Sequence, residues 1–266
     1  MPFQREGVDA ALRTKLWNIL AIGIWNHWEP VSDWSSRDPM SAQIENLTRR
    51  LWINFFNRDL DTLPEFQLSY SSDSSAYGKL KDYFFKCPWY RVYTFLEELA
   101  EDPSGLLNDG LRDWINAELE RHNAAYRFIG KTIAEITSEH EIAAIESADS
   151  DADQPVREHL RTALRMLSDR ESPDYRNSIK ESISAVESAC KAMTGLPKAT
   201  LSDALKNMPD LHPALRQGFE KIYGWSSDAD GIRHALTDEA KNTYAEAKFM
   251  LVACSGFVSY LKSFSK

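Results

Sequence analysis

Apolar residues recur every three to four positions through most of this chain, the spacing of helices that bury one face. Leu12, Leu16, Ile19, Leu20 and Ile24 predict a first helix over about 8 to 28. "RDPMSAQ" then supplies Asp38 as a cap with Pro39 in the first turn, for a second helix reaching about Phe56. "TLPEF" interrupts the pattern, and aromatic-rich helices follow over about 75 to 86, 88 to 101 and 105 to 123. At "YRFIGKTIAEITS" the period changes: Tyr126, Phe128, Ile133 and Ile136 flank a Gly-Lys turn, which predicts one short hairpin. Ser138 and Glu141 form a capping box for a helix to about 147.

"ESADSDADQP" (146 to 155) is acidic and lacks large apolar groups, so it is read as a linker between domains over 1–148 and 154–266. Beyond it nearly everything is helical. One helix covers about 154 to 168, and the next starts at "ESPDYRNS" with Ser172 as cap and Pro173 as first helical residue. Tyr175, Ile179, Ile183, Val186, Cys190 and Met193 form its apolar stripe. Thr200 with Asp203 caps a short helix, and Leu211, Leu215, Phe219 and Ile222 mark another. Thr237 is expected to cap the last helix, whose face is read as Phe249, Ala253, Gly256, Phe257, Tyr260 and Phe264. The fold class is therefore mainly α: two helical domains, the first with a short β-hairpin, the second an antiparallel helical bundle.

Composition narrows the functional classes. A hydrophobic fraction of 43% and eight tryptophans are those of a globular protein, and no apolar run is long enough for a membrane span. "LWNILAIGIW" follows Arg5, Arg13 and Lys15, but Glu6 and Asp9 interrupt the basic region and the helical pattern continues, so it reads as core rather than a targeting signal. Cys87, Cys190 and Cys254 lack metal spacing and are expected as free thiols in a reducing cytoplasm. A net charge of −9 gives no global steering toward nucleic acid, so any such role needs a local basic cleft. Trp17, Trp25, Trp28, Trp52, Trp89 and Trp114 sit at helical spacing among leucines and read as core or interface rather than stacking platforms.

"SDADGIRHALTDE" (227 to 239) carries the most chemistry. As a calcium loop with Gly231 sixth, Asp228 and Asp230 fit, but Ser226 stands first and Thr237 twelfth, so the bidentate glutamate is missing. No histidine stands at zinc spacing from another histidine or a cysteine, and there is no phosphate-cradling glycine loop or G-x-S-x-G elbow. Neither a metal nor a cofactor is expected. His234 could take a proton from a ribose 2′-hydroxyl while Arg233 holds the phosphate, cleaving RNA without metal. The plainer alternative is a surface loop in which Arg233 pairs with nearby acids. Arg176 and Lys180, four apart, could supply the basic cleft, while Asn177 and Glu187 are candidates to orient Arg233 or His234.

Taken jointly, several strings resemble a known family. "QREGVDAALRTKLWNIL" and the hairpin "YRFIGKTIAEITSEHEI" are similar to the start and end of an amino-terminal domain of abortive-infection proteins of the AbiJ type. "SPDYRNSIKESISAVESACKAMTG", "TLSDALKNM", "YGWSSDADGIRHALTDE" and "AKFMLVACSGFVSYL" resemble a HEPN-type bundle. The resemblance implies a cytoplasmic antiphage protein, a homodimer, and in many such bundles a metal-independent endoribonuclease with RNA as substrate. In its catalytic reading Arg233, His234, Glu187 and Asn177 form the active site and Arg176 and Lys180 bind RNA. The family motif places four to six residues between arginine and histidine, which would put the arginine at 227, 228 or 229; this chain has Ser227, Asp228 and Ala229 there. The alternative is a non-catalytic HEPN-like module that binds RNA, a nucleotide or a protein. In a third reading the amino-terminal domain senses a phage component and the bundle serves assembly.

Overall fold

Helix α1 (Ala10–Gly23) starts where Asp9 accepts a hydrogen bond from the Leu12 N–H at 2.7 Å, satisfying a donor that has no partner inside the helix. The structure, a computed structural model, describes residues 3–30, 38–68, 75–208, 211–228 and 242–265, without the side chains of 226–228 and 265. The chain falls into two compact units, Met1–Glu135 and Ile136–Lys266. Described residues are mainly helical, with one two-stranded antiparallel hairpin.

In the first unit, α2 (Pro39–Arg50) is capped by Asp38, which accepts from the Ser41 N–H at 2.7 Å. It runs on into a single π-helical turn, Leu51–Phe55. Asn57 then adopts a left-handed φ of 50°, which asparagine tolerates better than most residues. That reversal lets the Arg58 N–H reach the Trp52 carbonyl at 3.1 Å and folds Arg58 back over the helix end. Three more helices follow, α3 (Ala76–Lys86), α4 (Trp89–Glu101) and α5 (Asp109–Arg121). The hairpin β1 (Arg127–Ile129) and β2 (Thr132–Ala134) pairs Phe128 with Ile133, and Gly130 supplies the positive φ that its two-residue turn needs. Asn116 of α5 bonds both backbone polar groups of Phe128, and Glu97 of α4 accepts from the Ile133 N–H at 2.7 Å. The hairpin is thus pinned to two helices.

The core of this unit is built on α1, whose Leu12, Leu16, Ile19 and Leu20 are fully buried with Phe84, Tyr93, Phe95 and Ile115. One cation enters that core. Arg13 is 9% exposed, and its Nη1 donates to the carbonyls of Phe84 at 2.7 Å and Cys87 at 2.9 Å. These are acceptors at the end of α3, where helical carbonyls have no backbone donor and where positive charge is favoured. Arg50 makes a two-pronged contact with buried Asp102, which also accepts from the Ser104 N–H at 2.9 Å. Burial pushes the Asp102 carboxyl upward, but the hydrogen bonds from Arg50 and Ser104 outweigh it and hold the group below the ordinary carboxylate range.

The second unit consists of α6 (Glu139–Asp151), α7 (Gln154–Ser168), α8 (Tyr175–Thr194), α9 (Leu201–Lys206), α10 (Pro213–Asp228) and α11 (Tyr244–Lys262). Ser178, Ser182 and Ser255 are fully buried, and the Ser178 hydroxyl donates to the Ala163 carbonyl at 2.8 Å, joining α8 to α7. Lys248 of α11 reaches Glu141 of α6 at 3.0 Å.

The acidic stretch read as a linker is helical to Asp151 and helical again from Gln154. Asp149 explains the order there, because it holds Arg161 through both carboxylate oxygens and Arg157 through its carbonyl. The cap of α8 is Asp174, not Ser172, since Asp169 captures the Glu171 and Ser172 N–H groups in a turn. The last helix starts at Thr243, which forms a reciprocal box with Glu246, whereas Thr237 has Ala240 at the matching position and lies outside the described residues. Its apolar face is also rotated: Phe249, Gly256 and Tyr260 are exposed, while Met250, Leu251, Cys254, Phe257, Val258 and Leu261 are buried.

Two outcomes follow from these contacts. Arg13→Ala removes the guanidinium donor from two buried carbonyls, leaving that of Phe84 only the weak Cys87 thiol donor, and is expected to cost about 2–4 kcal/mol in urea unfolding; a loss under 0.5 kcal/mol would show the contacts to be dispensable. Asp102 has a lower pKa folded than unfolded, so its stabilising contribution is complete above its unfolded value of about 3.9 and disappears as pH falls through the folded value. Urea midpoints should therefore drop more steeply below pH of about 4 in the wild type than in Asp102→Asn; parallel curves would contradict this role.

Candidate functional site: the polar faces of helix α8

Asp174 turns the chain into α8 by accepting from the Asn177 N–H at 3.0 Å, and Gly195 ends the helix with a left-handed φ of 66°. The helix between them holds four of the expected site residues. With about 100° and 1.5 Å per residue, Arg176, Lys180 and Glu187 fall on one stripe together with Lys191, whose Nζ lies 4.0 Å from the Glu187 carboxylate. Lys180 is exposed, and Arg176 and Glu187 are half-buried. The stripe alternates sign along its length: a cationic start, then a carboxylate followed by a lysine.

Asn177 belongs to the neighbouring face. Its side-chain amide donates to Asp174 at 2.6 Å, so it serves the helix start. Asn177 and Glu187 are ten residues apart, about 15 Å along the axis. The helix thus keeps Arg176 and Lys180 together but does not bring Asn177 and Glu187 to one point. Arg233 and His234 lie outside the described residues, as do Asp230, Gly231 and Thr237 of the calcium-loop comparison.

The face that carries Asn177 has a pair that sequence reasoning missed. His159 Nδ1 of α7 lies 2.6 Å from Glu181 Oε2 of α8, and both side chains are half-buried. An imidazole held by a carboxylate has a fixed orientation and a ring nitrogen left to act on something else. Only the antiparallel register of the two helices, set by Ser178 against Ala163, makes the pair, and no local spacing announces it.

All three cysteines are buried free thiols. Burial pushes the Cys254 thiol up to about 12, and burial together with the nearby Glu187 charge does the same to Cys190. Among the described residues no group of three or more His, Cys, Asp and Glu side chains is placed to hold a metal. No described helix is long and apolar enough to cross a membrane.

α11 adds a different feature. Phe249 is 56% and Tyr260 37% exposed, Gly256 lies between them, and a Cβ built on Gly256 would meet nothing within 4 Å. This leaves a narrow apolar stripe with a small residue near its middle, opposite the buried face of Met250, Leu251, Cys254 and Val258.

No curated protein and no solved structure matches the chain. The family model described as AbiJ N-terminal domain 4 matches residues 1–151, taking in the whole first unit and ending with α6. That match spans more than half of the 266 residues, and the chain belongs to the AbiJ N-terminal domain 4 family.

Proposed function

We propose that this is a bacterial antiphage protein of the abortive-infection kind, whose second unit is a HEPN-like bundle that cleaves RNA without metal as a cytoplasmic homodimer. The observation that carries the reading is the family match over residues 1–151, which attaches an AbiJ-type domain to a helical second unit. In this picture His234 is the acid/base, Arg233 stabilises the phosphate, Arg176 and Lys180 steer the RNA backbone, and Glu187 orients the pair. Asn177, engaged by Asp174, contributes to the helix start rather than to the reacting groups. The amino-terminal unit would sense the phage component.

The homodimer finds support in the exposed stripe of α11. A two-fold interface is self-complementary, and a stripe with glycine near its centre and aromatic residues on either side can pack against its own copy. The non-catalytic alternative, a bundle that binds RNA, a nucleotide or a protein, is favoured by one observation: Asn177, one of the four residues expected at a catalytic site, is engaged by Asp174 at the helix start.

Two measurements test the reading. Purified protein and His234→Ala, incubated with tRNA and total RNA in a chelator, should differ by about 100-fold or more in cleavage leaving 2′,3′-cyclic phosphate ends; equal cleavage by both removes His234 from the mechanism, and none by either supports the binding module. Phe249→Glu and Gly256→Leu should each convert a dimer to a monomer in light scattering while leaving helical circular dichroism unchanged. A dimer that survives both substitutions places its interface elsewhere.

A further inference from the structure

The first unit contains a cleft of about 380 Å³ between the π-helical turn after α2 and one face of α3. One wall is aromatic: Trp52 and Phe56, with the Arg58 guanidinium 4.8 Å from the Trp52 ring and 5.7 Å from that of Phe56. The other wall comes from Lys79, Asp82, Tyr83 and Lys86, spaced so that they share one face of α3. Tyr83 meets Phe56 edge-on at 4.8 Å and closes the aromatic side.

The location is built rather than incidental. A π-helical turn is uncommon and is often found at functional sites. Here it is followed by Asn57 in the left-handed conformation, and the pair of irregularities returns Arg58 over Trp52 instead of releasing it to solvent. Trp52 is itself 3% exposed and is tied by its indole N–H to the Asp59 carbonyl and the Thr62 hydroxyl, so its ring is a fixed floor for the guanidinium. The outer face of Arg58 remains exposed.

Charge defines what fits. Arg58, Lys79 and Lys86 against Asp82 give three cations and one carboxylate, a local excess of two positive charges in a chain of net charge −9. Lys86 is paired with Asp82 at 2.6 Å, while Arg58 and Lys79 have no ion-pair partner among the described residues. Cations beside a stacked guanidinium and aromatic edges suit a phosphate joined to a planar ring, because guanidinium planes stack on nucleobases and ammonium groups bind phosphate as point charges. A long nucleic-acid strand is disfavoured, since a net charge of −9 gives no global steering toward a polyanion.

We propose that this cleft binds a nucleoside monophosphate, with the base against the Arg58 guanidinium and the Phe56 and Tyr83 edges, and the phosphate at Lys79 and Lys86. Asp82 accepts a hydrogen bond from the ribose hydroxyls or a base amino group. This site lies in the first unit and does not depend on RNA cleavage by the second.

Calorimetric titration of the full chain with adenosine and guanosine monophosphates, inorganic phosphate and a ten-nucleotide single-stranded DNA tests it. At least one mononucleotide should bind ten times or more tighter than inorganic phosphate, and the oligonucleotide no tighter than that mononucleotide. Arg58→Ala and Lys79→Ala should each weaken binding tenfold or more with an unchanged thermal midpoint, and Arg58→Lys should fall between wild type and Arg58→Ala. Absence of mononucleotide binding, phosphate binding equally well, or affinity unaltered in both alanine variants would overturn the proposal. A much tighter oligonucleotide would reassign the cleft to a strand.

Discussion

A single buried guanidinium organises the first unit. Arg13 enters an apolar core because the end of α3 presents carbonyls with no backbone donors, and its Nη1 satisfies those of Phe84 and Cys87. An unpaired charge or unpaired carbonyls at this depth would be destabilising by several kcal/mol, so each side makes the other tolerable. The consequence reaches beyond stability. Arg13 sets where α3 ends relative to α1, and α3 carries the Lys79, Asp82 and Lys86 wall of the cleft. Cys87 lies at the junction and lines the cleft, its thiol raised by burial and partly countered by Arg13.

The second unit uses another device. Where the first relies on aromatic packing around one cation, the bundle brings helices together through buried serines and alanines and ties them with pairs such as Lys248 with Glu141 and His159 with Glu181. Its polar groups consequently lie along the seams and outer faces of α7 and α8. A bundle of this type gains its chemistry from which side chains a seam brings together, and that depends on register rather than on any short motif.

What the sequence disclosed follows the same division between local and non-local. The Asp38 cap with Pro39, the Gly130 turn, and the helix over Gln154–Ser168 are local decisions and were readable. Ser172 reads as a cap because the capture of its N–H by the Asp169 carboxylate becomes visible only in three dimensions, whereas the Thr243 and Glu246 spacing of a capping box is present in the sequence and absent at Thr237. The face of α11 is not legible from spacing because apolar residues run almost all round that helix, leaving no clear stripe to follow. The π-helical turn has no signature in "LWINFF", and the cleft unites Arg58 with residues more than twenty positions away. The site residues on α8 were identifiable as a polar face, whereas the His159 and Glu181 pairing required the helix register.

Hydrogen exchange, followed by mass spectrometry on wild type and Arg13→Ala under native conditions, tests most directly whether Arg13 holds the cleft-bearing helix in place. The account predicts faster exchange confined to the end of α3, the start of α4 and the π-helical turn, with the hairpin Arg127–Ala134 and helices α7 and α8 unchanged. Exchange that is unaltered in α3, or raised equally across both units, would contradict it.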